Sequence, residues 1–146
     1  MGIENLLRLL NENKVRYVVI GDTAFPIHGY AGATLDVDLF IQPEQSNAEA
    51  TWKALKAFGY DVTEITVEDL LNYKILIRQY VVEADIHPFV AGVSFDEVWR
   101  HKIAGQIGSV SVHFADLDDL IKMKQAAGRP KDLEDLKILV KLKARK

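Results

Sequence analysis

The chain has 146 residues, 49% hydrophobic and 27% charged, with a formal charge of −3 and no cysteine. That length supports one domain, 1–146, with a sizeable core. The charge gives no general attraction for nucleic acid, and the absence of thiols excludes disulfides, thiolate zinc sites and cysteine nucleophiles.

Ile3, Leu6, Leu7 and Leu10 recur at helical spacing, and the polar Asn11 to Lys14 closes that helix. The same segment carries Glu4 and is unlike a signal peptide. No apolar run approaches the roughly 20 residues of a membrane span. A cytoplasmic protein without membrane contact is the expectation.

Val15 to Ile20 reads as a central strand ending at Gly21. Asp22 and Thr23 are N-cap types, so Thr23 to His28 is expected to form a short helix with Pro26 in its first turn. Gly29 to Thr34 reads as a flexible loop leading into a strand over Asp36 to Ile41. A helix is expected from Pro43 to Phe58, with Trp52, Leu55 and Phe58 on one side and Gly59 as its stop. A short strand over Tyr60 to Ile65 and a short helix over Val67 to Leu71 follow. Lys74 to His87 is a second β-rich block, a strand or a hairpin broken near Arg78-Gln79. Phe95 to His101 reads as helix and Ser109 to Phe114 as strand. Two terminal helices, Asp116 to Ala126 and Lys131 to Lys143, are separated by Gly128-Arg129-Pro130. The whole is a mixed α+β pattern.

Four segments carry the chemistry. Asp36 and Asp38 stand two apart in an otherwise apolar strand, so both carboxylates project from one face. Such a pair repels and resists desolvation, and a hard divalent cation compensates it, typically Mg²⁺ held by carboxylates, waters and phosphate oxygens. The strand-to-helix turn at Gly21 offers unpaired N–H groups to an anion. In Val81 to His87, Glu83, Asp85 and His87 share a face, and Asp85 is placed to complete a metal site or accept a proton. Lys124, Arg129 and Lys131 are candidates to neutralise phosphates, fixed by Asp132 or Asp135; whether Lys124 or Lys122 faces the site stays open. Each segment also has a plain structural explanation, such as a solvated helix face. His28 is as readily structural as functional, and His101 and His113 read as structural.

The ordered set resembles the nucleotidyltransferase superfamily, the polymerase-β-like fold. That signature runs from an apolar strand through a glycine turn to Asp-apolar-Asp-apolar, with a third acidic residue on a later strand. Here it reads Ile20-Gly21-Asp22, thirteen residues, Asp36-Val37-Asp38-Leu39, then Asp85. Ala24, His28-Gly29 and Thr34-x-Asp36-x-Asp38 are similar to small prokaryotic members, including toxin–antitoxin types. So are Asp119-Leu120-Ile121, Lys124, Gly128-Arg129-Pro130-Lys131-Asp132 and Asp135-Leu136, and the likeness covers about Val15 to Leu139.

The resemblance implies a mixed β-sheet with flanking helices and two C-terminal helices. It implies Asp36, Asp38 and Asp85 as metal-binding catalytic residues for Mg²⁺ or Mn²⁺. Gly21, Asp22, Thr23, Lys124 and Arg129 would bind an NTP, whose nucleoside monophosphate passes to a small molecule, a protein or RNA. Two departures weaken nucleotide binding: Asp22 stands where relatives carry Gly or Ser, and Ala31-Gly32-Ala33 replaces their arginine-bearing stretch. The second expectation is therefore a catalytically weakened binding module, an antitoxin or partner subunit. A third is RNA binding by Lys137, Lys141, Lys143, Arg145 and Lys146, a tail that reads better as a solvated helix end.

Overall fold

The protein is described here by a computed structural model covering residues 2–21 and 36–145. The expected helix from Thr23 to His28, the Gly29 to Thr34 loop and the candidate residues Asp22 and Thr23 lie outside those residues.

Helix α1 (Ile3–Glu12) buries Leu6, Leu7 and Leu10, the expected apolar stripe. Strand β1 (Tyr17–Ile20) is buried at all four positions. It runs antiparallel to β2 (Asp36–Ile41). Next come α2 (Gln45–Phe58), α3 (Val67–Asn72), β3 (Ile75–Ile77), β4 (Glu83–His87) and α4 (Phe95–His101). The chain closes with β5 (Ile103–Ile107), β6 (Val110–Phe114), α5 (Leu117–Ala127) and α6 (Pro130–Arg145). The strands form one six-stranded mixed sheet in the order β3-β4-β2-β1-β6-β5. Parallel pairing joins β2 to β4 and β1 to β6, and the other neighbours are antiparallel.

One sequence expectation needs correction, and one strand was not expected. Tyr60 to Ile65 is a turn rather than a strand. Tyr60 and Val62 are buried without a ladder; Tyr60 stacks on Tyr80 and donates its hydroxyl to the Val82 carbonyl at 2.7 Å. Burial pushes that phenol up to about 12. Conversely, Ile103–Ile107 forms a hairpin with β6, which the sequence did not announce. Ala104, Gly105 and Gln106 are poor strand formers, and β5 is an edge strand with partly exposed residues throughout, so little apolar alternation marks it. The Lys74 to His87 block is a hairpin, interrupted near Arg78-Gln79.

One sheet face carries Val37, Leu39 and Ile41 into a core that includes Leu6, Leu7 and Leu10 of α1 and Ala48, Ala54 and Leu55 of α2. The other face carries Asp36, Asp38 and Phe40. Phe40 meets Phe95 of α4 edge to face at 5.2 Å, so α4 covers that side.

A buried amide locks the start of β1 against the end of β2. Asn47 Oδ1 accepts from Arg16 N–H at 2.7 Å, and its Nδ2 donates to the carbonyls of Arg16 and Gln42 at 3.0 Å each. Asn47→Ala leaves the Arg16 N–H without its acceptor, while the Arg16 and Gln42 carbonyls keep the N–H groups of Gln42 and Glu44, and we expect a loss of about 1–2 kcal/mol. Urea denaturation measures it, and an unchanged midpoint would refute the role of this clamp.

Candidate functional site

Strand register creates the site. In the parallel β2–β4 pair, Asp36 lies opposite Glu83, Asp38 opposite Asp85 and Phe40 opposite His87. Cross-strand partners share a face. Two acidic tracts that look independent in the sequence therefore become one carboxylate patch. β1 pairs with β2 so that Ile20 faces Asp38, which brings the Gly21 turn to the same place.

Gly21 has φ +73, and a Cβ there would sit 2.6 Å from Asp38 Oδ2. Only glycine allows the backbone this close to the carboxylate at positive φ. Gly21→Ala is expected to cost about 1–2 kcal/mol in backbone strain and to push Asp38 aside. Thermal melts and divalent-cation titrations read both effects; unaltered cation affinity would show that Asp38 does not depend on this approach.

Asp85 is held by Arg78, whose Nη1 donates to Asp85 Oδ1 at 2.5 Å while its Nε reaches Glu83 at 2.6 Å. The hydrogen bond to Asp85 is the main reason that Arg78 holds its proton more tightly than a free guanidinium. Asp38 Oδ1 lies 2.9 Å from His87 Nε2. Donor atoms of Asp38, Asp85 and His87 all fall within 4.8 Å of one another. Such a set of two carboxylates and an imidazole fits a divalent cation.

The opposite wall comes from the C-terminal helices. α5 ends at Gly128, whose positive φ turns the chain into α6, with Pro130 at its first position. Asp132 is 1% exposed. It accepts from Arg129 Nε at 2.6 Å and from Arg129 N–H at 3.2 Å, and reaches Lys124 Nζ at 3.4 Å. Lys124 also meets Asp135 at 3.1 Å. Lys122 points elsewhere, to Glu97 at 2.8 Å. Arg129 is held protonated chiefly by its hydrogen bond to Asp132, with a smaller contribution from the field of Asp38.

These walls enclose a cleft of about 300 Å³. Gly21, Asp36, Asp38, Asp85, Lys124 and Arg129 all line it, so the described members of the expected metal-binding and nucleotide-binding sets meet in one place, whereas Glu83, Lys122 and Asp135 do not line it. Lys74, His87, Lys131 and Asp132 join them, with Val90, Leu120 and Met123 as apolar lining. Sequence reasoning set His87 on the Asp85 face but gave it no role, and it passed over Arg78 and Lys74. Strand alternation was the available signal for His87. The pairing of Arg78 with Asp85 depends on the hairpin fold and had none.

Over residues 1–146 the sequence matches the family model described as "Nucleotidyl transferase of unknown function (DUF2204)". The chain belongs to this nucleotidyl transferase family. No curated protein matches it significantly. For a nucleotidyl transferase the substrate is an NTP, and divalent metal ions are the general cofactor of such enzymes. No helix among the described residues is long and apolar enough to cross a membrane.

Proposed function

We propose that this protein transfers a nucleoside monophosphate from an NTP to an acceptor hydroxyl, using Mg²⁺ or Mn²⁺, with Asp36, Asp38 and Asp85 as its catalytic carboxylates. The observation that carries the reading is the two-sided cleft. Its sheet wall bears Asp36, Asp38 and Asp85, and its helix wall bears Lys124, Arg129 and Lys131. A cation alone satisfies the first wall and an anion alone the second. A metal–triphosphate complex complements both.

In the reaction the acceptor oxygen bonds to the α-phosphorus, the α–β phosphoanhydride bond breaks and pyrophosphate departs. A bound divalent cation supplies charge stabilisation for the phosphates. Asp36 and Asp38 would hold that cation. Asp85, oriented by Arg78, would contribute to the same set and take the acceptor proton. Gly21 brings backbone close to the phosphates, and Lys124 and Arg129 balance their charge. Lys124 and Arg129 reach the cleft already ordered by Asp132 and Asp135, which lowers the entropy lost on binding.

The test incubates the protein with Mg²⁺ or Mn²⁺ and each labelled NTP, alone and with cell lysate as the source of a small-molecule, protein or RNA acceptor. Label transfer that the Asp36→Asn/Asp38→Asn protein lacks is the expected result. Absence of transfer, with no NTP-induced rise in melting temperature, would sink the reading. It would leave a non-catalytic partner subunit, such as an antitoxin bound to its toxin.

A further inference from the structure

We infer that His87 is a direct metal ligand, and that its nitrogen makes this site prefer a first-row transition ion such as Mn²⁺ over Mg²⁺. The inference deepens the proposed nucleotidyl transfer and rests on the cation site which that reading requires.

Its geometric basis lies in the spacing of the donors. Two neighbouring donors on an octahedral ion, each about 2.1 Å from it, stand roughly 3 Å apart. His87 Nε2 and Asp38 Oδ1 are separated by 2.9 Å, which is the edge of such an octahedron. A donor atom of Asp85 completes a triangle within 4.8 Å. Asp36 lines the cleft but is not in this tightest set. His87 is fixed in place by its strand. It lies on β4 two residues beyond Asp85, on the same face, in register with Phe40. Its side chain is 14% exposed, so the imidazole is not a solvent-facing group that happens to pass near.

Chemistry then decides the ion. Mg²⁺ favours oxygen donors and gives up water reluctantly, whereas imidazole nitrogen suits transition ions. A site that presents one nitrogen beside two carboxylates gains affinity for Mn²⁺ and for later ions in the series. The same contact also has a purely positional use, in which His87 donates a hydrogen bond that aims Asp38. The two roles separate on the nature of the replacement. His87→Gln keeps an N–H donor at a similar reach but offers no imidazole nitrogen to a metal.

The experiment uses the full chain loaded with Mn²⁺, with and without a non-hydrolysable NTP, and pulsed EPR to detect nitrogen coupling to the ion. Isothermal titrations with Mn²⁺ and Mg²⁺ accompany it. We expect nitrogen coupling in the wild type and none in His87→Ala or His87→Gln. Both variants should lose Mn²⁺ affinity by about tenfold or more. Mg²⁺ affinity of His87→Gln should stay within about twofold, since the removed donor contributes little to that ion. Circular dichroism of both variants checks that they fold; if His87→Ala does not, His87→Gln carries the test.

Nitrogen coupling absent from the wild type, or persisting in the variants, overturns the assignment, as does failure of Mn²⁺ to bind. Restoration of Mn²⁺ affinity by glutamine also overturns it, because that is the signature of positioning. Nucleotide transfer with Mn²⁺ free of nitrogen coupling defeats this inference alone. Nitrogen-coupled Mn²⁺ in a protein that transfers nothing supports it and defeats the functional proposal instead.

Discussion

Asp38→Asn is expected to lower nucleotidyl transfer by about a hundred- to a thousandfold, the usual cost of removing one preorganised electrostatic element from a reacting centre. Asp38 is the carboxylate at the centre of the arrangement. It faces Asp85 across the β2–β4 ladder, stands against Gly21 and touches His87. An amide keeps the shape and an acceptor oxygen for His87 but removes the charge that attracts a cation. Stability should move differently. Neutralising one member of a like-charged cluster relieves repulsion, so the metal-free variant should keep its melting temperature within about 2 °C of the wild type. The rise in melting temperature on adding Mn²⁺ should shrink or vanish, because a ligand stabilises the native state only by binding it. Rate and melting data together separate a lost site from a lost fold. Undiminished transfer by Asp38→Asn would show that the chemistry lies elsewhere.

The largest loss of stability is expected from Asp132→Ala. This carboxylate is almost completely buried between Arg129 and Lys124, and it also accepts the Arg129 N–H at the start of α6. Removing it takes one of the carboxylates paired with Lys124, which keeps Asp135, and uncaps a backbone donor. Broken buried ion pairs and lost caps together predict about 3 kcal/mol, or roughly 6–12 °C in melting temperature for a domain of this size.

The effect should depend on pH. The hydrogen bond from Arg129 is the first cause holding the Asp132 carboxyl below its ordinary range, and burial opposes it. A carboxyl depressed in the folded state stabilises above its unfolded pKa of about 3.9 and loses that contribution as pH falls through the folded value. The gap between wild type and variant should therefore be full at neutral pH and close in acid below about pH 3.9. A difference under about 2 °C at pH 7 would show that the α5–α6 junction does not rely on this pair.

Much of the architecture was legible from local chemistry. The Ile3 to Leu10 stripe, the apolar run of β1, the helix over Phe95 to His101 and the glycine–proline break between the last two helices each follow from short-range rules. Asp36 and Asp38 were conspicuous because charge in an apolar strand is costly without compensation. Edge strand β5 escaped because its residues are partly exposed and interrupted by glycine, so packing left no periodic trace. Tyr60 to Ile65 misled for the opposite reason. Tyr60 and Val62 are buried in a turn, and burial alone does not make a strand.

The sequence by itself determined which residues carry charge into an apolar setting, where the glycine turn lies, and that a basic segment follows Gly128. It did not determine which of these groups meet. Asp38 and Asp85 are 47 residues apart and become neighbours only because β2 and β4 pair in parallel at one register. A shift of that ladder by a single residue would turn Asp85 to the opposite face. The same ladder brings His87 to Asp38, and the hairpin brings Arg78 to Asp85. Long-range register decided the site, because cross-strand contacts depend on pairing that no local pattern encodes.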